Sequence, residues 1–508
     1  MYSTVMTSML DGIRAVPVRV EVDVSTGMPA FDMVGYLSSE VREAKERVRT
    51  ALHNCGIVLP AKRITVNLSP ANIRKTGTGF DLPIAVALLA AMGIIEKERC
   101  AGIIFSGELN LCGELLPVRG VLPIVSDGSQ NGVCHFVVPS NNLREGKLVQ
   151  GVEVLGFSTL PEVIDYLQNN HYEEPATEEI RSTLEKKSVD FSEVNGQLFL
   201  KRAAEIAASG MHNMLMVGPP GAGKTMISER VATILPPLSE REQLEVSKIY
   251  SVCGLLTDSD ALMTQRPFRS PHHTITNVGL AGGGLHLRPG EISLAHQGVL
   301  FLDELTEFSK GTLEILRQPL EEQEIHLTRV SGSVTYPSNF LLLASMNPCN
   351  CGYYPDMQRC RCTQASLKRY FEKISQPLID RIDICVEAPN VSYEELTGSG
   401  SGESSAQIRE RVLRCHEIQL HRFRNENFCH NSRIPASRLV EFCRLGEKQQ
   451  QYMENMYRKM SLTARTYHKI LRVARTIADA ANADEIRIQD LNEAICYRSI
   501  DEKFWGGA

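Results

Sequence analysis

The hydrophobic positions of this chain follow three successive patterns. Residues 1–170 alternate strand-like runs such as VPVRVEVDV with helical runs such as EVREAKERVRTALHNCG, which predicts an α/β or α+β domain. Residues 191–395 contain three near-continuous apolar runs, NMLMVG, GVLFLDE and FLLLASMNP, which are typical of parallel strands covered by helices on both faces. Residues 406–508 carry arginine-rich amphipathic stretches and are predicted to be helical. The predicted fold class is therefore α/β with a helical C-terminal domain.

Two polar segments separate these patterns. The charged stretch at 171–190 predicts a linker or a solvated helix, and the Gly/Ser-rich stretch at 396–405 predicts a flexible connector. A length of 508 residues suggests about three domains. The two segments therefore divide the chain into three predicted domains.

Composition and charge say more about the compartment of the protein than about its activity. With a net charge of −6, the chain has no global attraction to nucleic acid or acidic membranes, so any polyanion binding must come from local basic patches. The N-terminus lacks the pattern of a signal peptide, and the apolar runs are too short to span a bilayer. We therefore expect a soluble cytoplasmic protein with no membrane partner, whose 14 cysteines do not form structural disulfides.

The strongest motif is GPPGAGKT, which fits the pattern G-x-x-x-x-G-K-[ST] between an apolar strand and a helical run. The glycines let backbone N–H groups close around phosphate oxygens, and the helix N-terminus favours an anion. Lys224 is predicted to neutralise the β and γ phosphates and Thr225 to bind Mg²⁺. The predicted nucleotide-binding residues are Gly218, Pro219, Pro220, Gly221, Ala222, Gly223, Lys224 and Thr225.

Two further strand ends supply candidate catalytic groups. The strand GVLFLDEL places Asp303 where it can bind the magnesium ion and Glu304 where it can polarise a water molecule. FLLLASMNP ends at Asn347, whose amide could orient the attacking water, although an Asn-Pro pair also favours an ordinary turn. Paired with the P-loop, Glu304 predicts a hydrolase site.

An arginine from a neighbouring subunit could complete this site. In SQPLIDRIDICVE, Arg381 lies between two aspartates, and such an arginine finger can raise NTP hydrolysis by about 10³–10⁵-fold. Arg369 competes for this role, and an ordinary surface Arg–Asp pair is the alternative interpretation. The residues alone leave these alternatives open.

Taken together, these motifs resemble those of AAA+ ATPases, and in particular the magnesium-chelatase-like ComM (YifB) family. The resemblance covers essentially the whole chain. The segments that carry it include KRAAEIAASGMHNMLMVGPPGAGKTMISERVATILPPL, PFRSPHHT, RPGEISLAHQGVLFLDELTEF, GSVTYPSNFLLLASMNPCNC, RYFEKISQPLIDRIDI, LTARTYHKILRVARTIAD, EVDVSTGMPAFDMVGY and SGELNLCGELLPVRGVLPI.

The resemblance implies a homo-hexameric ring with ATP bound between subunits. It implies that Arg381 is the trans finger and that Arg465 is the sensor arginine of a helical lid. It also implies an insertion at PFRSPHHTITNVGLAGGGLHLRPG and a hairpin at IHLTRVSGSVTYP, both directed at the ring pore, where related motors grip DNA. Basic side chains there can contact phosphates without reading sequence.

The N-terminal domain resembles the Lon protease domain, which has a ribosomal-protein-S5-like fold. Lon hydrolyses peptides with a Ser–Lys dyad, but this sequence has Gly79 at the serine position and Leu122 at the lysine position. Thr76 or Thr78 could replace the nucleophile, yet no base is evident. The domain is therefore expected to be catalytically silent.

The resemblance favours an ATP-driven helicase that moves branches in recombination intermediates, as in natural transformation, binding branched or single-stranded DNA without sequence specificity. The alternative is a motor for a protein or tetrapyrrole complex, like the ATPase subunit of magnesium chelatase. We expect that subunit to lack the Lon-like domain, which favours the DNA motor.

Four cysteines follow Asn347 in the stretch NPCNCGYYPDMQRCRCT. Two C-x-C pairs on a loop could give a tetrahedral S₄ site suited to Zn²⁺. Four reduced thiols on an ordinary loop and a redox function remain alternatives. The candidate ligands are Cys349, Cys351, Cys360 and Cys362.

Overall fold

The structure of the protein is a computed structural model that describes residues 1–175, 189–256, 262–284, 287–329, 332–390, 402–498, 500 and 504–505. Most of the predicted linker at 171–190 and of the predicted Gly/Ser connector at 396–405 lies outside these residues.

A seven-stranded mixed sheet forms the N-terminal region. Its order is β3-β4-β2-β1-β5-β8-β9, with β2 antiparallel to both of its neighbours, β1 and β4, and the remaining pairs parallel. The strands are β1 (Tyr2–Asp11), β2 (Arg14–Ser25), β3 (Ala30–Val34), β4 (Arg63–Ser69), β5 (Ile103–Phe105), β8 (His135–Pro139) and β9 (Glu153–Phe157), with a separate hairpin of β6 (Glu108–Leu109) and β7 (Leu115–Leu116).

Helices cover this sheet because its inward positions are apolar. In β2, for example, valines at alternate positions are buried between more exposed residues, which is the period of a strand with one buried face. Helix α2 is buried along its whole length, which explains its uniformly apolar sequence. The helices of this region are α1 (Ser39–Asn54), α2 (Asp81–Ala91), α3 (Val121–Gln130), α4 (Leu143–Gly146) and α5 (Leu160–Asn169).

The central region is built on a five-stranded sheet of order β11-β14-β17-β10-β18, in which every pair is parallel. The three near-continuous apolar runs form β10, β14 and β17, and every residue in these strands is buried. The prediction of a parallel sheet covered on both faces is confirmed. The strands are β10 (Met214–Val217), β11 (Phe268–Arg269), β14 (Val299–Leu302), β17 (Leu341–Met346) and β18 (Ile384–Glu387).

Two hairpins lie outside this sheet. They are formed by β12 (Gly282–Gly283) with β13 (Arg288–Pro289), and by β15 (Glu324–Arg329) with β16 (Gly332–Pro337). The second one is the hairpin predicted at IHLTRVSGSVTYP. The helices of the central region are α6 (Leu198–Gly210), α7 (Lys224–Ile234), α8 (Glu240–Cys253), α9 (Asn277–Ala281), α10 (Glu291–Leu294), α11 (Lys310–Ile315), α12 (Arg317–Glu322), α13 (Gln364–Phe371) and α14 (Gln376–Ile379).

The C-terminal region is helical where it is described, as predicted. Its side chains share one hydrophobic core with α6, α7 and one face of the central sheet, so it packs directly on the P-loop region. Its first helix begins with a capping box between Ser404 and Gln407, which satisfies backbone N–H groups at the helix start. Its helices are α15 (Ser405–Arg422), α16 (Leu439–Phe442), α17 (Glu447–Lys459), α18 (Ala464–Ala480) and α19 (Ile488–Cys496).

The N-terminal region contacts the central region mainly through α3 and α8. Lys248 of α8 forms an ion pair with Asp127 of α3 (3.1 Å), and the Ser251 hydroxyl donates a hydrogen bond to the buried Glu145 carboxylate. Burial raises the pKa of Glu145. Helix α8 therefore joins the two regions through both an ion pair and a hydrogen bond.

No helix among the described residues is both long enough and apolar enough to cross a membrane.

Candidate nucleotide site

The P-loop joins β10 to α7, as the motif predicts. Gly218 is required for packing, because a Cβ at this position would come within 2.3 Å of the Ala388 carbonyl oxygen. Gly221 and Gly223 both have φ of +79°, and no atom lies within 4 Å of the position that a Cβ would take. These glycines give a left-handed turn with open space beside it, which fits a bound phosphate.

The Lys224 side chain lies across the P-loop. Its ammonium donates hydrogen bonds to the carbonyl oxygens of Gly218 (2.7 Å) and Pro219 (2.9 Å), and to Asn347 Oδ1 (3.4 Å). Burial lowers the pKa of Lys224, and the nearby carboxylates of Asp303 and Glu304 oppose that shift. The lysine is thus held at the junction of the P-loop and the end of β17.

A second cluster surrounds Asp303 at the end of β14. Thr225 Oγ1 donates a hydrogen bond to Asp303 Oδ2 (2.8 Å), and the backbone N–H of Glu304 donates to Oδ1 (3.0 Å). The Ser345 hydroxyl also donates to Oδ1. The hydroxyl of Thr225 and the carboxylate of Asp303 are hard oxygen donors of the kind that Mg²⁺ prefers, so these residues fit the metal.

Ser345 did not figure in the sequence-based prediction. It lies near the end of β17, two residues before Asn347, and side chains two apart along a strand point to the same face. This spacing was the available signal, because it puts Ser345 on the same face as Asn347.

Glu304 has an unusual backbone conformation. Its φ is +52° and its ψ is +50°, in the left-handed region that non-glycine residues rarely adopt. Strained backbone of this kind clusters at functional sites, where the surrounding fold enforces it. The carboxylate of Glu304 remains 55% exposed and lies 3.5 Å from His273 Nδ1. His273 is therefore a neighbour of the predicted catalytic carboxylate.

Asn347 is held from both ends. Its side chain accepts from Lys224, as above, and its backbone carbonyl accepts a hydrogen bond from the Tyr370 hydroxyl (2.9 Å). The Thr306 hydroxyl in turn donates to the Tyr370 oxygen (2.9 Å). The residues after β14 and after β17 are thus joined through one tyrosine on α13.

Arg381, the predicted trans finger, and Arg465, the predicted lid sensor, make their contacts outside the P-loop. The Arg381 side chain is 12% exposed, donates to the Pro377 carbonyl (2.6 Å) and pairs with Glu321 of α12. Arg465 is 70% exposed and lies 3.3 Å from Asp380. The roles of both arginines stay predictions.

The basic residues of the predicted pore elements fall into two groups. Arg266 donates to the carbonyls of Pro236 and Gln297, and Arg269 forms a two-bond ion pair with Glu291 (2.6 and 2.7 Å). Both are therefore engaged in contacts within the fold. Their partners are more than 20 residues away in the sequence, so no local pattern could reveal them.

Arg288 and Arg329 form the second group. Both are exposed and lie on neighbouring hairpins. Arg288 pairs in register with Gly283, and Arg329 Nη2 lies 3.9 Å from the position of a Cβ on that same glycine. The guanidinium of Arg329 on one hairpin therefore lies beside the glycine that pairs with Arg288 on the other.

The predicted remnant of a protease site contains no dyad. A Cβ on Gly79 would lie 3.0 Å from Ser106 Oγ, and Leu122 is fully buried. The backbone N–H of Leu122 donates to Glu145 (2.8 Å), so this position is part of the packing around α3. Thr76 and Thr78 are partly buried.

The four cysteines after Asn347 converge in space. All are free thiols, and one sulfur atom from each lies within 4.8 Å of every other one. Cys349 and Cys360 are buried, while Cys351 and Cys362 are partly exposed. This cluster is the single set of candidate metal-ligating side chains found in the part of the chain that the structure describes.

The P-loop, the acidic strand end and the five-stranded parallel sheet define the central region as a P-loop ATPase of the AAA+ class. Comparison with known families agrees, since "Magnesium chelatase, subunit ChlI" matches residues 190–396 and "Magnesium chelatase, subunit ChlI C-terminal" matches residues 402–498. The class implies ATP and Mg²⁺ as cofactors.

Whole-chain relatives identify the family. The chain is 40% identical over 495 residues to "Uncharacterized protein YifB" of Salmonella typhimurium and 39% identical over 494 residues to "Competence protein ComM" of Haemophilus influenzae, covering 96% of each chain in both comparisons. The chain belongs to the ComM/YifB family of magnesium-chelatase-like proteins.

Two further matches cover only part of the chain. The chain is 26% identical to "Lon protease 2" of Bacillus subtilis over 161 residues, which are 30% of this chain and 28% of that protein. A family described as "Subunit ChlI of Mg-chelatase" matches residues 20–142. That second match runs against the expectation that the N-terminal region separates this chain from the chelatase subunit.

Proposed function

We propose that this protein is an ATP-driven motor that acts on branched DNA during recombination. The observation that carries the proposal is the cluster of Lys224, Thr225, Asp303 and Asn347 at the P-loop, in a chain that aligns over 96% of its length with a protein named for competence. The two exposed arginines on neighbouring hairpins support it, because such groups bind phosphates without reading bases.

The positions of the nucleotide-site residues support the following roles. Lys224 neutralises the terminal phosphates, and Thr225 with Asp303 would hold Mg²⁺, which supplies charge neutralisation on the phosphates when it is bound. Glu304 accepts a proton from the attacking water, and Asn347 orients that water from the end of β17. His273 holds the Glu304 carboxylate between turnovers.

The proposal includes a homo-hexamer with ATP between subunits. In that arrangement Arg381 must leave Glu321 of its own chain to reach the neighbouring nucleotide, and Arg465 senses the nucleotide from α18. Arg381→Ala should then leave ATP binding intact while hydrolysis collapses, measured by fluorescent-nucleotide titration and phosphate release. Loss of binding together with hydrolysis would assign Arg381 a structural role, and Arg369→Ala tests the competing finger.

The deciding experiment compares ATP turnover without DNA and with single-stranded, duplex and four-way-junction DNA, alongside dissociation of a labelled junction. We expect junction DNA to stimulate turnover and ATP to drive strand movement. Lys224→Ala should abolish both. The double variant R288E/R329E should lose DNA stimulation but keep the basal rate, whereas Arg241→Glu, whose side chain is 90% exposed on α8, serves as the matched control.

A second candidate is a motor for a protein or tetrapyrrole complex. It is favoured by the three matches to families named for the magnesium chelatase subunit. An ATPase rate that no DNA changes, together with no strand movement, would reject the DNA motor and leave this candidate.

A further inference from the structure

We propose that the segment from Cys349 to Cys362 is a structural Zn²⁺ site that holds the P-loop in place. The four sulfurs already have the spacing of a tetrahedral thiolate site. The Sγ–Sγ distances are 3.2 Å for Cys349–Cys351, 3.9 Å for Cys349–Cys360, and 3.6 Å for both Cys351–Cys360 and Cys351–Cys362. A tetrahedral site with Zn–S bonds of about 2.3 Å requires sulfurs about 3.8 Å apart.

The same distances argue against disulfides. A disulfide bond is about 2.05 Å long, well below the shortest separation in this cluster. A closed set of four cysteine ligands is typical of structural zinc, while a catalytic site keeps one position open. An all-sulfur tetrahedral set suits Zn²⁺ or iron, and the absence of a redox function in the proposed chemistry favours Zn²⁺.

Backbone N–H groups surround the sulfurs, as expected for thiolates. The amide of Tyr354 donates to Cys349 Sγ (3.4 Å), and the amides of Tyr353 and Arg361 face Cys351. Binding would release the four thiol protons and leave a cluster of charge −2. Arg359 and Arg361 alternate with Cys360 and Cys362 in the sequence, so two positive charges lie next to this negative charge.

The cluster lies directly against the nucleotide site. Gly352 has φ of +83°, and a Cβ at this position would come within 2.9 Å of Pro220 Cδ in the P-loop. On its other side the segment begins two residues after Asn347, which contacts Lys224. Closing the loop with a metal therefore fixes its position against Pro220 and at the end of β17.

An apolar cover completes the site. Leu367 packs in the same cluster as Cys349 and Cys360, with Tyr354 and Phe371 at its edge. These side chains are on α13 and on the loop itself, so the metal would tie the loop to the helix that also carries Tyr370.

Elemental analysis of the full-length protein tests the site without ATP or DNA. We expect about one zinc per chain, released by an organomercurial that attacks thiolates. Cys351→Ser and Cys362→Ser, which change partly exposed ligands, should weaken zinc binding by at least about 10–100-fold, while the exposed Cys112→Ser should retain it. Less than about half an equivalent of zinc, iron in its place, or disulfides in the purified protein would overturn the proposal.

The effect on the P-loop rests on the ATP site described above and needs a separate readout. Removing zinc from the folded protein should slow ATP hydrolysis by about 10–100-fold, because a misplacement of about 1 Å can cost about that much. Gly352→Ala should keep zinc but lower the rate, since its Cβ meets Pro220. If neither zinc removal nor Gly352→Ala changes the rate of ATP hydrolysis, the zinc site does not hold the P-loop in place. The measured zinc content does not depend on whether DNA stimulates ATP turnover.

Discussion

The nucleotide site of the central region and the protease-like positions of the N-terminal region differ in the side chains that they bring together. In the central region, polar and charged side chains that are far apart in sequence converge, including Lys224, Asp303 and Asn347. In the N-terminal region the two positions that a protease dyad would use are a glycine, Gly79, and a buried leucine, Leu122. Both regions are folded from strands and helices, but at these positions only the central region carries polar and charged side chains.

The difference extends to how charge is buried. Lys224 is held by carbonyls at the P-loop, and its amine remains beside a space that a phosphate can fill. Asp81 at the start of α2 is completely buried and bound through two hydrogen bonds to Arg47. The first arrangement is suited to binding a ligand, whereas the second is saturated by partners within the protein and is suited to holding the domain together.

The largest expected effect comes from removing the predicted base of the central site. Glu304→Gln should lower kcat for ATP hydrolysis by about 10²–10⁴-fold, because an amide cannot accept the proton from water. ATP binding should persist, since the P-loop contacts are untouched. Steady-state turnover and nucleotide titration measure the two effects, with Glu307→Gln, an exposed acid three residues away, as the control. Unchanged turnover in Glu304→Gln would show that Glu304 is not the base, and the central site would then lack the catalytic group that distinguishes it from the N-terminal region.

The next effect concerns the saturated pair of the N-terminal region. Asp81→Ala should reduce the free energy of unfolding by about 3–5 kcal/mol, because it takes from the partly buried Arg47 guanidinium the carboxylate that accepts two of its hydrogen bonds. Below the unfolding transition, ATP turnover should match the wild type. Chemical denaturation followed by circular dichroism measures the loss, and Asp32→Ala, which breaks an exposed pair with Arg63, is the control. A stable Asp81→Ala protein with impaired turnover would assign Asp81 a functional role.

A smaller effect is expected where the two regions meet. Ser251→Ala removes a donor to the buried Glu145 carboxylate and should cost about 1–3 kcal/mol. If the N-terminal region only supports the ring, basal ATP turnover should stay the same while the thermal midpoint falls. Ser158→Ala, which changes an exposed hydroxyl of the N-terminal region, is the control. A changed turnover at constant stability would show that the contact transmits a signal to the ATP site.

Much of the central site could be predicted from the sequence because its groups occupy fixed positions after buried strands. The apolar runs predicted three buried strands, and this prediction is confirmed by β10, β14 and β17. Because the strands are parallel, their carboxyl ends meet at one edge of the sheet. The contacts of Ser345 with Asp303 and of His273 with Glu304 were not predicted, because each joins residues about 30 or 40 positions apart. No local pattern encodes such pairs, and the left-handed backbone of Glu304 is likewise enforced by the tertiary structure.

The smallest effect tests whether the N-terminal region has kept any part of a peptidase. Gly79→Ser puts a hydroxyl back at the position of the nucleophile, and its Cβ would lie 3.0 Å from Ser106 Oγ, so a small local adjustment is expected. Because Leu122 cannot accept a proton, neither the wild type nor Gly79→Ser should cleave fluorescent casein, with or without ATP. ATP turnover should be unaffected, since Gly79 lies outside the nucleotide site. Cleavage by the wild type would point to Thr76, Thr78 or Ser106 as a nucleophile with an unrecognised base, whereas cleavage by Gly79→Ser alone would show that the fold still supplies a base and lacks only the hydroxyl.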